Sequence, residues 1–211
     1  MNRIREIYSR LIPAKVFADI GCDHGLISAL VAENGLAERI YITDISENCL
    51  KKAERLLKRY IDAGTVKSAV CDGFSGIGEK TDEALIAGMG GEEIVKILAN
   101  ADKRPDRLVL QPMKNTEKVR RFLVSDGYRL VEDVTFSDGK FYDIIVAERG
   151  EDALTEDEYE FGKTNLSERP EAFIEKLKAE LDDIGEYLKK PMNAASRAAL
   201  EKRKERLKKR I

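Results

Sequence analysis

The segment Ala18-Asp19-Ile20-Gly21-Cys22-Asp23-His24-Gly25 runs from an apolar stretch through a glycine-bearing turn into residues of helical spacing. That is the build of a nucleotide-type cofactor loop. In a dinucleotide-binding G-x-G-x-x-G turn the second glycine lets backbone approach a pyrophosphate; here that place holds Asp23, whose carboxylate repels phosphate. NAD and FAD are thereby disfavoured. S-adenosylmethionine carries a sulfonium and an ammonium and no phosphate, so Asp19 and Asp23 suit it electrostatically, while Gly21 permits close backbone approach. The next apolar run ends at Asp44, whose carboxylate can accept both ribose hydroxyl hydrogens. The third ends in Cys71-Asp72-Gly73-Phe74, which sets Asp72 to accept from an adenine amino group and Phe74 to cover the ring. Any one of these residues is equally well explained as a turn former or helix cap. The four strand-end features together carry the reading, because ligands of open α/β sheets bind beyond the carboxyl ends of the strands.

Two further loops belong to the same edge. Ala87-Gly88-Met89-Gly90-Gly91-Glu92-Glu93 is glycine-dense, which lets a flat base lie against backbone, and Leu110-Gln111-Pro112-Met113-Lys114-Asn115 offers Gln111 as a hydrogen-bond partner for a base edge. Neither is the Asn-Pro-Pro-Tyr motif of many amino-methylating enzymes, which favours a ring nitrogen as acceptor. His24, the one histidine, is placed either to contact substrate or to bond backbone at a helix start.

The elements that must position these residues follow from periodicity. Short β-rich runs, Val16 to Ile20, Arg39 to Thr43, Val66 to Cys71, Ala84 to Ala87 and Arg107 to Leu110, alternate with helical spacing over Leu26 to Asn34, Glu47 to Ala63, Glu92 to Asn100 and Thr116 to Ser125. This predicts parallel βαβ units with the sheet buried between helices. Tyr128 to Thr135 and Lys140 to Glu148 flank Ser137-Asp138-Gly139 and predict an antiparallel hairpin. A parallel sheet finished by a hairpin resembles the common class I, Rossmann-like methyltransferase topology. Residues 1–150 are assigned to that α/β domain. An acidic connection follows, Glu151 to Glu160, and then residues 163–211 as a helical, coiled-coil-like hairpin broken at Lys190-Pro191-Met192-Asn193. Phe173, Ile174, Leu177, Leu181, Ile184 and Leu188 form one apolar stripe that needs a partner surface.

With 37 basic and 39 acidic residues among 211, the chain lacks a global positive excess, so any polyanion site is a local patch. The dense cluster is Leu200 to Arg210, seven Lys or Arg against two Glu, which Lys114, Arg120 and Arg121 extend toward the site. The start, Met1 to Leu11, has no apolar core of signal-peptide length and no apolar run of membrane-spanning length follows, so a cytoplasmic protein is expected. Cys22, Cys49 and Cys71 lack paired spacing and have one histidine to join them, which argues against disulfides and a metal site.

Taken together, Asp19 to Gly25, Thr43-Asp44-Ile45, Cys71-Asp72-Gly73, Ala87 to Gly91 and Gln111-Pro112-Met113 resemble the TrmK family of bacterial tRNA methyltransferases, over most of residues 1–148. Cys22 and Gly25 stand where the family often has Ser and Ala. The resemblance implies S-adenosylmethionine-dependent methylation of N1 of adenosine 22 in tRNA, with a C-terminal helical domain. It implies Asp23 as catalytic residue, by electrostatic stabilisation or as a base, with His24 supporting it. The expected cofactor set is Asp19, Gly21, Cys22, Asp44, Ile45, Asp72, Gly73, Gly88 and Met89, and the substrate set Gly90, Gln111, Pro112 and Met113. tRNA is the expected partner, without metal or membrane, for a monomer or weak homodimer. A small-metabolite methyltransferase and a non-catalytic binding module are the alternatives.

Overall fold

The computed structural model describes residues 3–211, so Met1 and Asn2 of the leading segment lie outside it. One sheet of seven strands forms the centre: β1 (Ala14–Ile20), β2 (Ala37–Asp44), β3 (Val66–Val70), β4 (Glu83–Met89), β5 (Arg107–Pro112), β6 (Tyr128–Ser137) and β7 (Phe141–Arg149). Their spatial order is β3-β2-β1-β4-β5-β7-β6, and β7 alone runs against the rest. This is the Rossmann-like class I methyltransferase arrangement that the sequence predicts. The helices are α1 (Arg3–Tyr8), α2 (Leu26–Glu33), α3 (Glu47–Leu56), α4 (Lys58–Asp62), α5 (Gly91–Ala99), α6 (Thr116–Ser125), α7 (Glu156–Phe161), α8 (Lys163–Glu168), α9 (Glu171–Leu188) and α10 (Ala194–Lys208).

Every central strand is apolar on both faces, and its period of two deals alternate residues to two cores. Phe17, Ile40, Ile42 and Leu85 face Ile7, Ile27 and Leu50 of the first three helices. Val16, Ala18, Ile20 and Ile86 face Ile94, Leu98, Val119 and Leu123 of α5 and α6. Because the chain moves from β1 outward to β3 and then returns to lay β4 on the other side of β1, the strand ends part there and leave a crevice.

One local expectation needs correction, and two segments carry helices that the sequence reading did not assign. The helical run from Glu47 to Ala63 is broken at Leu57, whose backbone (φ −94°, ψ 8°) leaves the helix so that its fully buried side chain can enter the core. The acidic connection is not plain loop. Thr155 and Glu158 form a capping box that starts α7 within it. The leading segment, read only for targeting signals, folds as α1 against the core through Ile7 and Leu11.

The apolar stripe of α9 finds its partner within the chain: Phe173, Leu177 and Ile184 are buried with Phe161 of α7 and Leu207 of α10. Arg197 donates to the Leu188 carbonyl and Arg203 to Glu180, so α9 and α10 run antiparallel. The segment between the sheet and this pair does a second job. β6 is an edge strand, whose outward N–H groups invite pairing with another chain. Asp152 accepts from Leu130 N (3.0 Å), Thr164 from Asp133 N (3.0 Å) and Asn165 from Thr135 N (2.8 Å), so side chains of the connection satisfy that edge.

Candidate functional site

The turn from β1 to α2 carries positive φ at three alternate residues: Gly21 (φ +69°), Asp23 (φ +47°) and Gly25 (φ +69°). At Gly21 a side chain is excluded twice, since a Cβ there would lie 1.9 Å from the Met89 methyl. Asp23 holds a left-handed conformation with a real side chain, a strain of the kind that clusters at functional sites. Neighbouring strand ends hold the turn in place. The Gly21 and Cys22 amides donate to the Thr43 carbonyl (2.8 and 3.0 Å), and the Asp23 amide donates to Asp44 Oδ2 (3.1 Å). Asp44 Oδ1 accepts from Ser46 N (2.8 Å), and Thr43 Oγ1 donates to the Gly73 carbonyl (3.0 Å). Three strand-end loops are thus one hydrogen-bonded unit, which fixes Asp44 without giving it a cation.

Together they line a cavity of about 580 Å³, within the usual range for a small-molecule site. Its wall includes Asp19, Gly21, Cys22, Asp23 and His24 from the first turn. Asp44 and Ile45 come from the second strand end, Asp72 and Gly73 from the third, and Gly88 and Met89 from the fourth. The four proposed substrate residues are not in this wall. Gly90 is packed beneath Lys114, while Pro112 and Gln111 are buried and Met113 N is tied to the Met89 carbonyl (2.8 Å). The two loops do meet, but behind the cavity: Gly91 fits so closely against the Lys114 and Asn115 carbonyls that a Cβ would stand 2.7 and 2.5 Å from them. Phe74 turns away as well and packs into the core beside α5, because its apolar ring gains more there than at an open rim.

The electrostatics are those of a site for a cation. Asp19 is 5% exposed, and burial pushes its carboxyl up to about 6, against the pull of the Ser28 hydroxyl at 2.6 Å and with a further rise from Asp44. The Cys22 thiol is pushed far up by burial and by Asp19 and Asp44, so it is a neutral wall rather than a nucleophile. Asp23 and His24 are both exposed, with His24 Nε2 3.5 Å from Asp23 Oδ1 and 3.2 Å from Lys52 Nζ. Asp72 faces Lys96 at 3.7 Å across solvent. Carboxylates flanking a glycine turn fit the aminoacid and ribose parts of a cationic nucleoside and offer no cradle for pyrophosphate.

The basic extension expected around the site is corrected. Arg120 is buried, chelating Asp133 at 2.7 and 2.9 Å, and Arg121 is held by Glu117 and Glu156. Within the terminal cluster Arg203 pairs with Glu160 and Glu180, and Arg206 and Arg210 with Asp157. Lys202, Lys204, Lys209 and Lys114 form no ion pair within 4 Å among the described residues, although Lys204 and Lys209 lie near enough to Glu205, and Lys114 to Glu92, to help hold those carboxyls low.

Sequence reasoning missed one wall. Arg3, Ile4 and Ile7 of α1 and Leu26 of α2, 50% exposed, line the cavity. The signal was present in the spacing of Ile4, Ile7 and Leu11, which is that of an amphipathic turn.

A family model described as TrmK, tRNA (adenine(22)-N(1))-methyltransferase, matches residues 17–211. The chain belongs to this family. Among curated relatives, the Bacillus subtilis tRNA (adenine(22)-N(1))-methyltransferase is 30% identical over 155 residues, covering 71% of this chain and 65% of that one. The chain spans less than two thirds of the length of the curated relatives it matches. The solved B. subtilis m1A22 tRNA methyltransferase TrmK superposes with a TM-score of 0.83 at 27% identity, over 98% of this chain and 96% of that chain. Mycoplasma capricolum TrmK, solved with S-adenosyl-homocysteine, gives 0.88 at 21% identity, over 98% and 95%. No described helix is long and apolar enough to cross a membrane.

Proposed function

We propose that this TrmK-family protein transfers the methyl group of S-adenosylmethionine to N1 of adenosine 22 in tRNA. The observation that carries the reading is the carboxylate-lined cavity at the switch point of a class I methyltransferase sheet, with strained Asp23 at its wall. When bound, S-adenosylmethionine supplies a methyl group on a sulfonium, an electrophile that needs no metal. Gly21 and Gly73 let backbone approach it, with Gly88 and Met89 on the wall beside them, Asp44 receives the ribose hydroxyls, Asp72 the adenine amino group, and Asp19 the charged amine. Ile45, 70% exposed, covers the adenine face in the place expected of Phe74.

For the acceptor, positioning supplies most of the rate, since N1 of adenine is already a nucleophile. The N1 lone pair forms the new N–C bond as the S–C bond breaks and its electron pair stays on sulfur. The ring gains positive charge, and the Asp23 carboxylate stabilises it, either as a fixed charge or by taking a proton from the amino group. The helices of residues 163–211 hold the tRNA through Lys202, Lys204 and Lys209, on a catalytic unit of residues 1–150. Such an enzyme is cytoplasmic, and with the α9 stripe covered by its own chain a monomer or weak homodimer suffices.

The test is methyl incorporation from labelled S-adenosylmethionine into unmodified tRNA, with the modified base mapped by mass spectrometry. Wild type should yield 1-methyladenosine at position 22, and Asp23→Asn should lose on the order of 10²–10³-fold in kcat while the cofactor Kd moves little. No label in any tRNA, with cofactor binding intact, would overturn the reading.

A further inference from the structure

We propose that Arg3 is the substrate-phosphate ligand of the site, receiving the backbone phosphate next to the nucleotide that enters the cavity. The inference rests on the methyltransferase reading above and extends it to a residue outside the family match, which begins at residue 17.

The Arg3 guanidinium meets three groups and the Arg3 backbone amide a fourth, all distant in sequence. Its Nε donates to Gln111 Oε1 at the end of β5 (2.9 Å), and its Cζ lies 5.3 Å from the centre of the Tyr142 ring on β7. Its Nη2 sits 2.9 Å from where a Cβ would be at Gly88, so the absence of a side chain there is what admits it to the cavity. The Arg3 amide donates to Asp138 Oδ2 in the hairpin turn (2.9 Å). Tyr142 is itself stacked on Phe136, ring centres 5.4 Å apart, so the cation rests on a rigid aromatic floor.

A positioned guanidinium normally spends its charge on a carboxylate. Among the described residues no acidic side chain pairs with the Arg3 guanidinium, although those residues form 26 ion pairs. One of its donors is used by a neutral amide, and Arg3 is among the residues that line the cavity. The same cavity is lined by Asp19 of β1, Asp23 of the turn after it and Asp44 of β2. The cavity is therefore polar end to end: carboxylates where a cationic nucleoside fits and an unpaired fork where an anion fits. Arginine's planar fork matches phosphate oxygens in pairs, and its immobilisation here removes the ordering cost of capture. An acceptor base that meets Asp23 with its phosphate on Arg3 enters in one orientation only.

The test reads tRNA binding and methylation separately, each across a salt series, for wild type, Arg3→Gln, Arg3→Lys and Asp138→Ala. Removal of one phosphate contact lowers the slope of log affinity against log salt by about 0.7 to 0.9. Arg3→Gln should show that loss and a 10- to 100-fold fall in kcat/KM carried mainly by KM, with the S-adenosylmethionine Kd within about twofold of wild type. Arg3→Lys, which keeps the charge and loses the fork, should restore the salt slope and part of kcat/KM. Asp138→Ala, which cuts only the backbone anchor, should keep the wild-type slope. An unchanged slope in Arg3→Gln, or the same slope loss in Asp138→Ala, would reduce Arg3 to a strut and overturn the proposal. If Arg3→Gln melts early, Arg3→Lys decides: a slope equal to that of Arg3→Gln counts against the phosphate role. A wild type that binds tRNA but methylates none sinks the functional reading and leaves the slope comparison standing.

Discussion

Two groups of aspartates sit on the same sheet and are treated in opposite ways. At the β6–β7 edge each has a cation: Asp133 has Arg120, Asp143 has Lys176 at 2.7 Å, and Asp152 has Lys163 at 2.9 Å. At the β1–β2 ends Asp19 has the Ser28 hydroxyl and backbone amide and Asp44 has backbone amides, while Asp23 stands 3.5 Å from an exposed imidazole. The first group has spent its charge on joining elements. Arg120 also donates to the Tyr159 and Glu160 carbonyls (3.0 Å each), so one guanidinium binds α6, β6 and the end of α7. The second group keeps its charge for a ligand. Between these two groups the difference is whether the carboxylate already has a cation; Asp72, at the third strand end, stands between them with Lys96 at 3.7 Å.

The largest effect should come from breaking the framework side. Arg120→Ala leaves Asp133 buried without its partner and should cost about 3–5 kcal/mol in denaturant unfolding, with the tail helices loosened first in hydrogen exchange. A loss below about 1 kcal/mol would mean that the pair is not what joins the tail to the sheet.

Next comes Asp19, where the two groups should show opposite pH signatures. Its folded carboxyl titrates at about 6 against an ordinary 3.8, so the folded state holds the proton more tightly, and stability falls as pH rises from about 4 to 6. Asp143 behaves in reverse. Burial pushes it up, but Lys176, Arg120 and Thr135 outweigh burial and hold it below the ordinary range, so its contribution is present above that range and lost in acid. Asp19→Asn should therefore stabilise the ligand-free protein at pH 7.5 by up to about 3 kcal/mol, and weaken S-adenosylmethionine binding. Glu83, pushed up to about 7 mainly by burial, acts in the same sense as Asp19. The Asp19 share is read as the difference between wild type and variant across pH 4–8. In wild type, cofactor affinity should rise through pH 6 as Asp19 ionises, and Asp19→Asn should flatten that rise. A rise that survives in the variant would take Asp19 out of the cofactor contact.

The smallest effect should come from Gly21→Ala, about 1–2 kcal/mol in stability from the left-handed φ. The Met89 methyl can yield, but only by moving along the cavity wall, so calorimetry should show a larger loss in cofactor affinity than in stability. Equal losses would mean that Gly21 matters for the turn alone.

The position of the terminal helices bears on how their role is tested. Deleting residues 163–211 removes Thr164 and Asn165 from the open edge of β6 as well as Lys202, Lys204 and Lys209 from the surface. Loss of activity after such a deletion does not separate RNA binding from exposure of a sheet edge. Reversing the three lysines to Glu does, because none of them forms an ion pair within 4 Å with another element among the described residues.

Sequence alone determined the order of strands and helices, the turn at Asp19 to Gly25, the acids at Asp44 and Asp72 and the closing hairpin. Each is written in short-range terms: a period of two against three to four, glycine where φ is positive, an acid where a strand ends. Only the tertiary structure decided which charges are spent. Nothing near Arg120 or Arg203 in the chain distinguishes them from solvated residues, since their partners lie in other elements. Nor could local pattern show that Arg3, Ile4 and Ile7 of α1 line the cavity, that Phe74 turns inward, or that Gln111 faces Arg3 instead of a base. These depend on contacts across 100 or more residues in the case of Arg3 and Gln111 (|i−j| = 108), where packing and ion pairing are settled by the fold as a whole.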